Sequence, residues 1–216
     1  MESPEAFVAA NTQLIASPLV PEIRLHIATE LTPIWEATER SLERMGVDPP
    51  YWAFAWAGGQ ALARHILDCP ELVAGKRVLD FAAGSGLAGI AAAKAGAVSV
   101  VANEIDKFAA AAIALNAAAN EVAIEIVVAD WVGGPNRGWD IVLAGDVCYE
   151  RPMAERVEAW LKTLAAGGAL VLMGDPKRTY LPTSGIVEIA KYSVQTTREI
   201  EDTDVRNAIV WRVTGG

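Results

Sequence analysis

Four acidic residues in this chain each close an apolar run: Asp80, Glu104, Asp130 and Asp146. If those runs are parallel strands, their carboxyl ends form the edge at which open α/β sheets bind ligands. Aspartate is also a strong helix N-cap, so one or two of the four can be plain caps. Asp80 stands apart, because a glycine-rich loop separates it from the helix that follows. Within that loop, Gly84-Ser85-Gly86-Leu87-Ala88-Gly89 satisfies G-x-G-x-x-G, and Glu104 follows about 20 residues on, as a dinucleotide fingerprint requires. A carboxylate at the strand tip opposes a pyrophosphate approaching the helix N-terminus. It favours a ligand that carries an ammonium and a sulfonium. The loop alone admits both ligands; Asp80 tilts it toward the cation.

The elements that must position these acids follow a regular rhythm. Strands are predicted at 77–81, 98–103, 124–129, 140–145 and 168–173, with helices at 87–95, 107–119 and 153–165 between them. Apolar β-formers in 191–200 and 208–213, around a polar EDTDVRN turn, predict an antiparallel hairpin. The fold class is therefore α/β and Rossmann-like: a mostly parallel seven-stranded sheet with a C-terminal antiparallel hairpin. Upstream, residues 4–16, 34–45 and 57–67 read as helices, with Pro49 and Pro50 stopping the second. Residues 1–55 are expected as a helical appendage to a single unit over 56–216.

Composition narrows the function. With a formal net charge of -9 and no basic run, the chain lacks the cations that neutralise nucleic-acid phosphates. No nucleic-acid partner is expected. No apolar run reaches the roughly 20 residues of a membrane span, so no membrane partner is expected either. Cys69 and Cys148 form no C-x-x-C pair and read as reduced thiols of a cytoplasmic protein. His26 and His65 have no neighbouring ligand cluster, so no metal site is expected.

The residues then match a known pattern. VLDFAAGSG (Val78 to Gly86) resembles the first motif of class I methyltransferases, with Ala82 in place of the usual glycine. That resemblance implies S-adenosylmethionine as cofactor, bound by Asp80, Ala82, Gly84 and Gly86. It implies that Glu104 binds the ribose hydroxyls, that Asp130 accepts from the adenine amine, and that Trp131 covers the base. Asp146-Val147-Cys148-Tyr149 resembles the acid-x-x-aromatic motif of the protein-lysine group sometimes called family 16. PYWAFAWAGGQALARHIL (Pro50 to Leu67), GDVCY and GDPKR (Gly174 to Arg178) narrow the resemblance to the electron transfer flavoprotein beta-subunit lysine methyltransferases, from about residue 20 onward. The implied partner is that beta subunit; another protein, such as a ribosomal one, or a small molecule stays open as the alternative acceptor. The resemblance sets Trp56 against the methionine end of the cofactor, with Gln60 one turn on as a companion. Asp48-Pro49-Pro50-Tyr51 also spells the DPPY of nucleic-acid amine methyltransferases, but it follows a charged helical stretch rather than a buried strand. It reads better as a helix stop that brings Trp52 and Trp56 near the pocket. Trp35, Trp160 and Trp211 read as core.

Methyl transfer to lysine needs a neutral amine. With a lysine pKa near 10.4, deprotonation at pH 7 costs roughly 4–5 kcal/mol. Desolvation and a neighbouring sulfonium both reduce that cost. Asp146 and Tyr149 are assigned to the catalytic mouth, the carboxylate docking the incoming ammonium and the ring walling the channel.

Overall fold

The computed structural model describes residues 3–29, 49–196 and 203–215. The helix expected at 34–45, Trp35 and Asp48 lie outside the described residues. The core strands are β3 (Arg77–Phe81), β4 (Ser99–Glu104), β5 (Glu125–Val128), β6 (Ile141–Gly145) and β7 (Leu170–Asp175). Strands β8 (Ile186–Gln195) and β9 (Val205–Val213) follow. The sheet order is β5-β4-β3-β6-β7-β9-β8, parallel as far as β7 and antiparallel beyond. Val78, Leu79, Val142 and Leu143 are fully or almost fully buried, because helices cover both faces of the central strands. That double burial explains why the strands read as unbroken apolar runs.

Chain direction reverses about β3: the chain runs outward to β4 and β5, then returns to β6 on the other side. This switch point opens a crevice at the carboxyl ends of β3 and β6. Helices α2 (Ala57–Asp68), α3 (Leu87–Lys94), α4 (Lys107–Ala119) and α5 (Arg151–Ala166) complete the layers. The hairpin begins five residues earlier than expected, at Ile186, because Gly185 turns the chain with φ 73° and β8 then pairs along β9.

The N-terminal part differs from expectation. Helix α1 (Pro4–Asn11) ends at Thr12, and Gln13–Ala16 forms β1, paired antiparallel with β2 (Arg24–Ile27). A single helix over 4–16 is therefore incorrect. The partner strand 24–27, not anticipated from the sequence, outweighs local propensity. The ribbon is tied to α4 by two asparagines: Asn116 accepts from His26 N–H at 2.7 Å, and Asn120 both accepts from Arg24 N–H and donates to its carbonyl. Asn116 also donates to the Ser85 carbonyl at 2.8 Å, so the same side chain holds the ribbon and the glycine-rich loop.

Candidate active site

A cavity of about 560 Å³ opens at the switch point. Phe81 lines it at the end of β3, Ala82 and Gly84 after it, Asn103 and Glu104 at the end of β4, and Asp130 and Trp131 after β5. Asp146 and Tyr149 enter after β6, Trp56 from the start of α2, and Arg178 from the segment after β7. The structure thus brings Trp56, Ala82, Gly84, Glu104, Asp130, Trp131, Asp146 and Tyr149 to one cavity. Asp80 and Gly86 are not part of its lining.

Asp80 is fully buried, and its Oδ2 accepts from Gly89 N–H at 2.8 Å. Since Gly86 is the N-cap of α3, Gly89 is the third helical residue, and Asp80 caps the helix from the neighbouring strand. Alternation along β3 explains this: Asp80 faces α3, whereas Phe81 faces the cavity. Burial pushes the Asp80 carboxyl up to about 8, with Glu104 adding to the rise and the Gly89 bond opposing it. One of the helix-terminal amides that a pyrophosphate would use is thus already taken by an internal acid. The preference against a dinucleotide stands, on a different footing from repulsion at the strand tip.

The loop itself is held by its neighbours. Ala82 takes φ 49°, a left-handed conformation that favours glycine, so this alanine occupies a glycine's backbone position under mild strain. Glu104 Oε1 accepts from Gly84 N–H at 2.7 Å and Oε2 from Ile105 N–H at 3.0 Å. Burial raises its carboxyl above the ordinary range. Asn103 donates to the Val127 and Ala129 carbonyls and fixes the end of β5. Beyond it, Asp130 folds back on Val132 N–H and pairs with Arg156 at 3.0 Å, whose guanidinium holds that carboxyl below its usual value. Trp131 is flanked by Trp139 at 5.3 Å between ring centroids and by Arg137 at 4.4 Å.

At the other end, Asp146 has φ 55° and is largely buried. Its Oδ2 accepts from Gly59 N–H at 2.7 Å, the third residue of α2 after the Trp56 N-cap. Its Oδ1 accepts from Arg178 Nη2 at 2.9 Å and Nε at 3.3 Å. The Arg178 guanidinium lies 5.5 Å from the Trp56 ring centre. Asp175 is wholly buried, its Oδ1 accepts from Arg178 N–H at 2.7 Å, and burial pushes it up to about 6. Tyr149 stands half-exposed with its ring 5.2 Å from that of Tyr51, while Tyr51 O accepts from Trp56 Nε1 at 2.7 Å. Gln60 does not reach the cavity. It is buried, accepts from Ser17 Oγ and Leu19 N–H, and donates to Ala55 O.

The glycines of AWAGGQ explain how α2 comes so close. A Cβ on Gly58 would collide with the Gly174 carbonyl and lie 2.7 Å from Asp146 Oδ2, and one on Gly145 would lie 3.1 Å from Gly59 Cα. Backbone therefore packs on backbone at the ends of β6 and β7. Arg178 and Tyr51 received no role from the sequence, although both stand in quoted segments, GDPKR and PYWAF. Arg178 pairs with a residue 32 positions away, which no local pattern reveals.

Comparison with known proteins gives the family. The family model "Ribosomal protein L11 methyltransferase (PrmA)" matches residues 63–199. The electron transfer flavoprotein beta subunit lysine methyltransferase of Danio rerio is 37% identical over 213 residues, 95% of this chain and 81% of that protein. The Homo sapiens protein of the same name is 35% identical over 217 residues, covering 96% and 80%. Among solved structures, magnesium protoporphyrin IX methyltransferase from Synechocystis with bound SAH shares the fold. Its TM-score is 0.53 at 16% identity, over 72% of this chain and 81% of that one. The chain belongs to the methyltransferase family that contains the electron transfer flavoprotein beta subunit lysine methyltransferases and the PrmA enzymes.

Proposed function

We propose that this protein transfers the methyl group of S-adenosylmethionine to lysine side chains of the electron transfer flavoprotein beta subunit. The carrying observation is relatedness over nearly the whole chain to proteins named for that activity, including the segments that wall the acceptor end. The side chains around the cavity suit the cofactor. Glu104 offers a carboxylate for ribose hydroxyls, Asp130 an acceptor for the adenine amine, and Trp131 a flat apolar surface. Gly84 leaves backbone room, since among the described residues a Cβ there would find only Trp52 Cα, at 3.9 Å. Asp80 and Gly86 serve the cofactor indirectly, by fixing the start of α3.

When bound, the cofactor supplies an electrophilic methyl group whose carbon–sulfur bond breaks as the carbon–nitrogen bond forms. The chain's own residues bind, orient and exclude water. Tyr51, Tyr149 and Trp56 form the aromatic side of the acceptor mouth, and Asp146 with Arg178 its polar side. Orientation in such a channel supplies much of the rate, and no strong general base is required.

Intact-mass measurement of purified flavoprotein, incubated with enzyme and cofactor, tests the acceptor. Increments of one or more methyl groups on the beta subunit are expected; their absence refutes this acceptor. Adenosylhomocysteine is expected to raise the melting temperature and NAD to leave it unchanged. The PrmA match supports a second acceptor, ribosomal protein, which the same mass measurement repeated on purified ribosomal protein L11 tests. The acidic balance supports a protein rather than a nucleic-acid partner, and the unpaired Cys69 and Cys148 fit a cytoplasmic location.

A further inference from the structure

The carboxylate expected to attract a substrate ammonium already faces a cation. Asp146 receives two guanidinium contacts from Arg178 on one oxygen and the N-terminal amide of Gly59 on the other. The pair is shielded, with side-chain exposures of 18% for Arg178 and 9% for Asp146. The guanidinium also faces Trp56, an aromatic surface of the kind that attracts organic cations. Arg178 thus holds the two features, carboxylate and ring, by which a lysine ammonium would be recognised.

We propose that Arg178 is a positioning residue of the acceptor site: its guanidinium cancels the Asp146 carboxylate on the cavity wall, so that the lysine amine is held in its neutral, nucleophilic form rather than as an ammonium. This rests on the lysine-acceptor reading above. An uncompensated carboxylate beside the amine would stabilise the ammonium and oppose transfer. With Arg178 in place, the wall offers the amine a ring and a closed ion pair. The proton that leaves the amine goes to solvent before the nitrogen lone pair attacks.

Other groups face this region. Asp175 lies behind Arg178 and is ionised above about pH 6. Cys148 is buried and pushed up to about 12, so it stays neutral. Tyr149 is raised by burial and stays neutral too. Tyr51, Glu104 and Glu150 add to that rise. Arg156 is engaged by Asp130. Removing Arg178 therefore leaves the Asp146 carboxylate without its guanidinium partner and makes the wall more negative.

The test is the pH profile of single-turnover methylation of the flavoprotein beta subunit, for the unaltered enzyme, Arg178→Gln and Arg178→Lys. In Arg178→Gln the rising limb moves up by about one pH unit, a roughly tenfold loss at pH 7 that is recovered at alkaline pH. Arg178→Lys keeps the limb in place. Without methyl donor, Arg178→Gln binds the beta subunit severalfold tighter at pH 7, because the freed carboxylate now attracts the ammonium. If Arg178→Gln does not fold, Asp146→Asn/Arg178→Gln serves instead, and its limb stays with that of the unaltered enzyme. A uniform rate loss at every pH, weaker binding, or a shifted limb in the double variant overturns the proposal. Absence of transfer by the unaltered enzyme overturns the acceptor assignment itself, and the role of Arg178 with it.

Discussion

At α3 the carboxylate of Asp80 reaches from β3 to the third amide of the helix; at α2 that of Asp146 reaches from the end of β6 to the corresponding amide. The strands are neighbours, the distances are 2.8 and 2.7 Å, and the accepted residue is glycine both times. The surroundings differ. Among the described residues no cation pairs with Asp80, which is sealed in the core, so its proton is held up to about pH 8. Asp146 has Arg178 and borders the cavity, so its charge is compensated where a ligand can meet it. One carboxylate braces the glycine-rich loop's helix, and the other lines the cavity. A cap reaching across from a strand can thus serve architecture or chemistry, and the partner of its second oxygen decides which.

The widest break in this comparison should come from Gly58→Ala. Its Cβ collides with the Gly174 carbonyl and crowds Asp146, so α2 must withdraw from the strand ends. A loss of about 3 kcal/mol in denaturant unfolding is expected, with transfer abolished. Asp146→Ala should follow. It leaves a shielded guanidinium and a helix amide without that partner, for about 2 kcal/mol of stability and at least a hundredfold of transfer rate. A variant with wild-type turnover would end the catalytic assignment of this residue.

Asp80→Asn separates the two caps by pH. The native Asp80 carboxyl titrates near 8 against an ordinary 3.8, so the native state holds the extra proton across that window. Its stabilising contribution is complete below about pH 4 and is lost as pH rises through 8. Glu104 and Asp175, also raised, act with the same sign. Melting temperatures between pH 5 and 8 should therefore fall more gently in Asp80→Asn than in the unaltered protein. Equal slopes would mean that Asp80 is ionised in the fold. The smallest effect belongs to Ala82→Gly, which relieves the left-handed alanine and should add a few tenths to about 1 kcal/mol.

Much of this was legible in the sequence, for physical reasons. Parallel strands buried on both faces spell apolar runs, so IVLAG and LVLMG announce themselves, and the acids that end those runs mark the sheet edge. Side-chain direction is less visible. Asp80 and Phe81 are adjacent letters, yet one faces α3 and the other the cavity. The Asp146–Arg178 pair depends on how far the chain after β7 folds back, which no spacing encodes. The β1–β2 ribbon was missed because its stability lies in Asn116 and Asn120 on a distant helix.

The glycine seam between α2 and the ends of β6 and β7 constrains how this enzyme can change its clientele. Backbone packed on backbone leaves no room for a larger residue, so mutation within the seam cannot shift α2, and Trp56 at its start, without breaking the contact. Adaptation to acceptors of another shape is left to the half-exposed rings of Tyr51 and Tyr149 opposite, where a single substitution alters the width of the doorway without disturbing its foundations.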